Sequence, residues 1–195
     1  MSNRSDDFNR ADGAIGSPSD GGAAWSVLAG TWNVASNEAQ CTTGTSAAHS
    51  VVLEASSAVV DVQVTRRASL DVGLVCRASD ASNYILLAYG DTTAQYRLFR
   101  VQAGAFTLLA SVSATTASGD VVKLTVTSGD AYTAYKNGVS QLTGSSSFNN
   151  TATKHGMWTW NDTAARFDIF SITDNAATTT SFPPIPMLLM PHLAM

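Results

Sequence analysis

The stretch Gly156-Met157-Trp158-Thr159-Trp160-Asn161 places two tryptophans two residues apart. In a strand such a pair shares one face, and two indoles side by side can stack against sugar rings. Trp158 and Trp160 are therefore candidate glycan-binding residues, with packing into a core as the competing role; no Asn/Asp/Arg cluster is evident beside them in the sequence. Other chemistry is harder to assemble. Glycan cleavage needs two carboxyl groups about 5 to 9.5 Å apart, yet Glu38 and Glu54 are the only glutamates, and Asp61, Asp71 and Asp168 stand singly within strand-like stretches. His49, His155 and His192 come without a Gly-x-Ser-x-Gly elbow, so a nucleophile triad is not expected. Cys41 and Cys76 lack the CxxC spacing of a zinc site and read as two buried thiols or one disulfide. The expectation is a protein without catalytic residues.

The elements that must position these side chains are strands. Val60, Val62 and Val64 alternate with Asp61, Gln63 and Thr65, while 70–76, 84–89 and 121–126 are short apolar or β-branched runs bounded by turn residues. Asn137-Gly138 between 132–136 and 139–142 is a two-residue hairpin signal, and Gln102-Ala103-Gly104 marks a second hairpin between 96–101 and 106–109. Proline is absent from Ser19 to Ser181, as uninterrupted backbone ladders require. No sustained helical stripe is present. About a dozen short strands predict an all-β, two-sheet antiparallel jelly-roll sandwich.

Two groups of residues carry a resemblance. Asp6-Asp7-Phe8-Asn9-Arg10-Ala11-Asp12-Gly13-Ala14-Ile15-Gly16, followed by Trp25 and Gly30-Thr31-Trp32-Asn33-Val34, resembles the opening of laminin-G-like jelly rolls of the concanavalin A-like lectin/glucanase group. The likeness continues through Gly73–Asp80 with Asn83-Tyr84, Leu124–Val126, Tyr135–Gly138, Gly156 and Ala165–Phe170, and so covers roughly 5–173. Domains with this opening are similar to ones in bacteriophage minor tail and other virion proteins. The resemblance implies that the first and last strands pair, with Phe8, Phe167 and Phe170 closing the core, and that Cys76 fills a place where relatives carry an aromatic. The retaining glucanases of the group use Glu-x-Asp-x-Glu along one strand, and this chain has no such strand. Laminin-G-like domains also often hold calcium. Asp6, Asp7, Asp12 and Asp168 offer hard oxygen ligands, although turn and cap duty accounts for such aspartates too, and no ligand set is assigned.

Composition narrows the partners. With net charge −4, pI near 5.1 and 11 Lys+Arg scattered in ones and twos, the chain has no basic stripe for a phosphate backbone, so no nucleic-acid partner is expected. The polar start lacks a signal-peptide core, and no apolar run approaches the roughly 20 residues that span a bilayer. Assembly in a host cytoplasm without membrane insertion is expected. The Asn149 and Asn161 sequons are then chance features of a Thr-rich chain.

The last fourteen residues depart from the rest. Phe182, Ile185, Met187, Leu188, Leu189, Met190, Leu193 and Met195 are large and apolar, interleaved with Pro183, Pro184, Pro186 and Pro191. The prolines forbid a good helix, so Phe182–Met195 reads as an extended C-terminal arm. Burying eight such side chains contributes roughly 1.5 to 3 kcal/mol each, about what ordering fourteen residues at about 1.5 kcal/mol apiece costs. Such an arm holds where a groove adds backbone hydrogen bonds or several copies bind together; folding back on its own domain is the other option. The organisation predicted is an N-terminal arm (1–4), a jelly roll (5–173), a polar linker (174–181) and a docking arm (182–195). The resulting expectation is a non-enzymatic virion structural module, in tail or capsid, held by its arm to other virion proteins or to copies of itself. The alternative is a carbohydrate-binding adhesin on the particle, reaching host-surface glycan through Trp158 and Trp160.

Overall fold

The computed structural model describes residues 3–45, 47–68, 71–90 and 94–175. Sixteen strands and no helix occur among them, and so no helix there is long and apolar enough to cross a membrane. In chain order the strands are β1 (Arg4–Asp6), β2 (Gly13–Ala14), β3 (Ser26–Ala29), β4 (Trp32–Ala35), β5 (Glu38–Cys41), β6 (Ala48–Glu54), β7 (Val60–Ala68) and β8 (Asp71–Asp80). They continue as β9 (Asn83–Gly90), β10 (Gln95–Gln102), β11 (Ala105–Ser113), β12 (Val121–Val126), β13 (Ala131–Lys136), β14 (Val139–Ser145), β15 (Lys154–Trp160) and β16 (Arg166–Asp174).

They form two antiparallel sheets. One has nine strands in the order β14-β13-β12-β7-β16-β5-β4-β2 with β1 also on β16; the other has seven in the order β11-β10-β9-β8-β15-β6-β3. Both anticipated hairpins form where the turn chemistry placed them. Asn137 and Gly138 take φ of 50° and 81° with Lys136 opposite Val139, and Ala103 and Gly104 take 50° and 78° with Gln102 opposite Ala105, the double positive φ of the tight hairpin turn. Between the sheets lies a sealed core that includes Trp32, Val62, Val64, Leu74, Ile85, Leu87, Leu124, Met157, Phe167 and Ile172. Cys41 and Cys76 sit in it as free thiols, and burial raises the pKa of both.

First and last strands pair as the resemblance implied, with Arg4 opposite Ile172 and Asp6 opposite Phe170. Phe8 closes the core with Phe167 and Phe170, but it lies beyond β1 at φ 53° instead of within a strand. The reason is Asp6. Its buried carboxylate accepts from Phe8 N at 2.9 Å, which turns the chain, and also from Arg10 Nη1 at 2.7 Å and Trp25 Nε1 at 2.7 Å. The opening motif is thus a clasp that seats Trp25 between Phe8 and Phe170 (centroids 6.1 and 4.9 Å). A second clasp joins the sheets. Arg77, buried at a bulge in β8 with φ 52°, bonds Asp130 at 2.6 Å, the Tyr132 hydroxyl at 3.1 Å and Ala58 O at 2.9 Å.

Candidate functional site

The site is built on the outer face of the seven-stranded sheet. In β8 the residues Val72, Leu74 and Cys76 point into the intersheet core, which turns Asp71, Gly73 and Val75 outward. Register carries that face across neighbouring strands: Arg97 of β10 lies opposite Ala88 of β9, Ala88 opposite Gly73 of β8, and Gly73 opposite Trp158 of β15. Small residues in the middle of this row leave a trough between the large ones at its ends. Gly73 is required there. A Cβ on it would come within 2.6 Å of Leu87 O and 3.3 Å of Trp158 Cε3, so the indole rests where a side chain would stand. Leu86, Ala88, Val75, Val52, Tyr84 and Trp158 form a second buried cluster beneath. Burial pushes the Tyr84 hydroxyl up to about 12, which keeps it a neutral phenol.

Above this floor, Phe99, Phe106, Trp160 and Trp158 form an unbroken series of ring contacts. Centroids are 5.8 Å apart for Phe99–Phe106, 6.1 Å for Phe106–Trp160 and 6.4 Å for Trp158–Trp160, the first two edge-to-face. Trp158 is nearly sealed at 4% exposure, whereas Trp160 and Phe106 each show 41%. The groove they enclose measures ≈ 390 Å³ and is lined in addition by Asp71, Leu86, Ala88 and Arg97. Arg97 sits over the Phe99 ring at 5.5 Å, and its Nε is buried without a hydrogen-bond partner. Among the described residues no ion pair engages Arg97 or Asp71. The groove therefore joins aromatic faces to one free guanidinium and one free carboxylate, a donor and an acceptor set beside apolar rings.

Of the residues singled out by sequence, the structure brings Trp158 and Trp160 together on this face, one as floor and one as wall. Phe99, Phe106 and Arg97 join them without having been anticipated, and so does Asp71, which the sequence showed only as a lone strand carboxylate. The hairpin at Gln102–Ala105 carried part of the signal, since it puts Phe106 opposite Val101 and one step from Phe99. Phe182, Pro183, Pro184, Ile185, Pro186, Met187, Leu188, Leu189, Met190 and Leu193 lie outside the described residues, as does His192. His155 is buried in the core, with Nδ1 accepting from Arg77 N at 3.2 Å and Nε2 facing Ser57 O at 2.9 Å. The aspartates considered for calcium have protein partners: Asp6 in its clasp, Asp7 on Asn9 N, Asp12 on Ser36 N, and Asp168 on Arg67 at 2.6 Å. Among the described residues no group of three or more His, Cys, Asp or Glu side chains gathers for a metal. Asn149 donates its side-chain amide to Arg77 O and Asn83 O, which gives that sequon asparagine a structural task.

No family model matches the chain, and no curated protein matches it by sequence. Its structure is similar to carbohydrate-binding module CBM66 from Bacillus subtilis, with TM-score 0.60 and 16% identity over 74% of this chain and 91% of that one. It is similar also to a β-glucanase from Bacillus licheniformis (TM-score 0.59, 12% identity, 89% and 99% covered). A third likeness is to the GH43 protein BlXynB of Bacillus licheniformis (TM-score 0.59, 15% identity), where 87% of this chain matches only 39% of the longer one. The fold is a concanavalin A-like jelly-roll sandwich, as the opening residues implied. These neighbours leave the virion part of that resemblance without support.

Proposed function

We propose that the chain is a carbohydrate-binding module acting without catalysis, with its site in the groove of Trp158, Trp160, Phe99, Phe106, Arg97 and Asp71. The observation that carries this reading is the aromatic series set beside an unpaired guanidinium and carboxylate. Aromatic faces cover the apolar side of a sugar, while Arg97 donates to hydroxyl oxygens and Asp71 accepts from hydroxyl protons. Likeness to a carbohydrate-binding module supports it at the level of fold. The non-catalytic part is supported by Asp71 being the one carboxylate among the described residues that line the groove; hydrolysis needs a second within about 9.5 Å. Tryptophan fluorescence titrated with a panel of oligosaccharides tests the reading: saturable quenching in the native protein, weakened by Trp160→Ala, is the expected result. A native protein silent across the panel at millimolar sugar would sink it.

Attachment to a particle is a second reading, motivated by the apolar, proline-interrupted sequence of Phe182–Met195. It is compatible with a glycan-binding groove on the same chain. Light scattering on the full chain and on one stopped at Asp174 tests it. Assembly that disappears on truncation supports an arm that joins copies of the chain. Two monomeric species together with no capture of a capsid or tail protein would remove the docking role.

A further inference from the structure

Resting on the carbohydrate-binding reading, we infer that the groove is a one-ended pocket that takes the terminal residue of a neutral glycan, not the interior of a long chain. The observation is the contact between Phe106 and Trp160. These residues belong to β11 and β15, which the sheet order separates by β10, β9 and β8, yet their rings meet at 6.1 Å and 84°. At that spacing the edge of one ring lies on the face of the other, and no ligand layer fits between them. Phe99 extends the closure on one side and Trp158 on the other. An aromatic arc thus runs unbroken from β10 to β15 and shuts the groove along that side. A polymer bound through its interior needs an exit at each end, which this arc denies. The volume of ≈ 390 Å³ falls near the lower end of the range of about 300–1,000 Å³ for small-molecule pockets, fitting a short terminus.

Asp71 and Arg97 set the chemical class. Their charges cancel across the pocket, and neither is engaged in an ion pair among the described residues. A sugar hydroxyl can donate to the carboxylate and accept from the guanidinium, so a neutral polyol satisfies both. A uronate or sialate would satisfy Arg97 but add a second negative charge to a pocket already lined by the Asp71 carboxylate, which like-charge repulsion disfavours.

The experiment is an array of matched oligosaccharide pairs, each neutral sugar printed once as the terminal residue and once capped by a further residue, with uronate- and sialate-terminated glycans alongside. It is read with the native chain and with Phe106→Ala, which opens the arc. Phe106 is exposed on an edge strand, and a melting curve checks that the variant folds; Phe106→Leu replaces it if it does not. The native chain should prefer terminal over capped sugar by about tenfold or more, and opening the arc should bring the pair within about threefold. Equal binding to capped and terminal forms overturns the pocket and leaves carbohydrate binding standing. So does a ratio that opening the arc leaves unchanged. Preference for the acidic termini overturns the assignment to neutral sugars. A blank array overturns carbohydrate binding and this inference with it.

Discussion

The two outer faces of the sandwich are finished differently. On the nine-stranded sheet, β12 alternates half-buried and buried residues along its whole length, and the outward charges engage one another. Lys123 meets Asp61 at 3.1 Å and lies over the Tyr135 ring at 4.6 Å, while Arg67 meets Asp168 at 2.6 Å. On the seven-stranded sheet, β9 is buried on both sides from Tyr84 to Gly90, and the outward charges of the groove are left without ion pairs. The first face is part-exposed and carries its own salt bridges. The second is completed by its own aromatic residues except at the groove, where a guanidinium and a carboxylate wait beside half-exposed rings. That difference is what the proposed binding site on the second face rests on.

Glycine substitutions should break the comparison most strongly. Gly73→Ala on the aromatic face drives its Cβ toward a backbone oxygen, Leu87 O at 2.6 Å, as well as toward Leu86 Cδ1 at 2.8 Å. A loss of about 3 kcal/mol in urea denaturation is expected, together with loss of the indole's seat. Gly144→Ala, on the inward side of β14 in the other sheet, crowds the movable end of Leu98 at 2.7 Å, with Ala110 and Leu109 in ordinary contact, and should cost less, about 1 kcal/mol. Equal losses would mean that the aromatic outer face is packed no more tightly than the inward side of β14, where Gly144 faces Leu98 of the core.

The next effect lies on the inward side of β15, the strand that carries Trp158 and Trp160 outward. Burial lowers the pKa of His155 to about 4, below its ordinary 6.5, so the folded state holds the neutral ring while the unfolded chain protonates it first. Stability is therefore intact above pH 6.5 and declines as pH falls toward 4, by up to about 3 kcal/mol. Urea midpoints at pH 7 and pH 4.5 measure this, and His155→Gln should flatten the slope between them. The lowered aspartates Asp20, Asp80 and Asp120 act below about pH 4, outside that window.

The legibility of the sequence follows the same divide. Where one face is wet, as in Val60–Thr65, alternation announces both the strand and its buried side. Asn137-Gly138 announces its hairpin because few other residues accept two successive positive φ values. Tyr84-Ile-Leu-Leu-Ala-Tyr89 is apolar throughout, so the strand is legible but the presence of a second buried cluster on its outer side is not. The spacing of Trp158 and Trp160 showed a shared face but not which one. Arg97 and Asp71 reach the groove only through register across β10, β9 and β8, a long-range fact that no local pattern holds. The resemblance alone places Phe8 with the first strand; the carboxylate that turns it aside, that of Asp6, lies two residues earlier and looks like any aspartate.

Trp160→Ala sharpens the comparison at the groove itself. The side chain is 41% exposed, so its loss should change stability by about 1 kcal/mol while weakening sugar binding about tenfold. Calorimetry against the best-bound oligosaccharide separates the two effects. A variant that loses stability and binding in the same proportion would show that Trp160 supports the wall without touching ligand.

The smallest effect belongs to the wet face. In Lys123→Ala the partner Asp61 remains part-exposed and keeps the Asn175 side-chain amide at 2.6 Å, so no buried charge is stranded. Solvent already screens the pair, and an exposed bridge of this kind contributes about 0–1 kcal/mol. Stability should fall by no more than that, the loss should shrink further in high salt, and sugar affinity should stay at the native value. Unchanged affinity carries the weight here, because Lys123 and the groove lie on opposite outer faces with the whole core between them. If Lys123→Ala weakens sugar binding as Trp160→Ala does, then either the ligand contacts the nine-stranded sheet or the two faces are coupled through the core, and the aromatic groove is no longer the reason the faces differ.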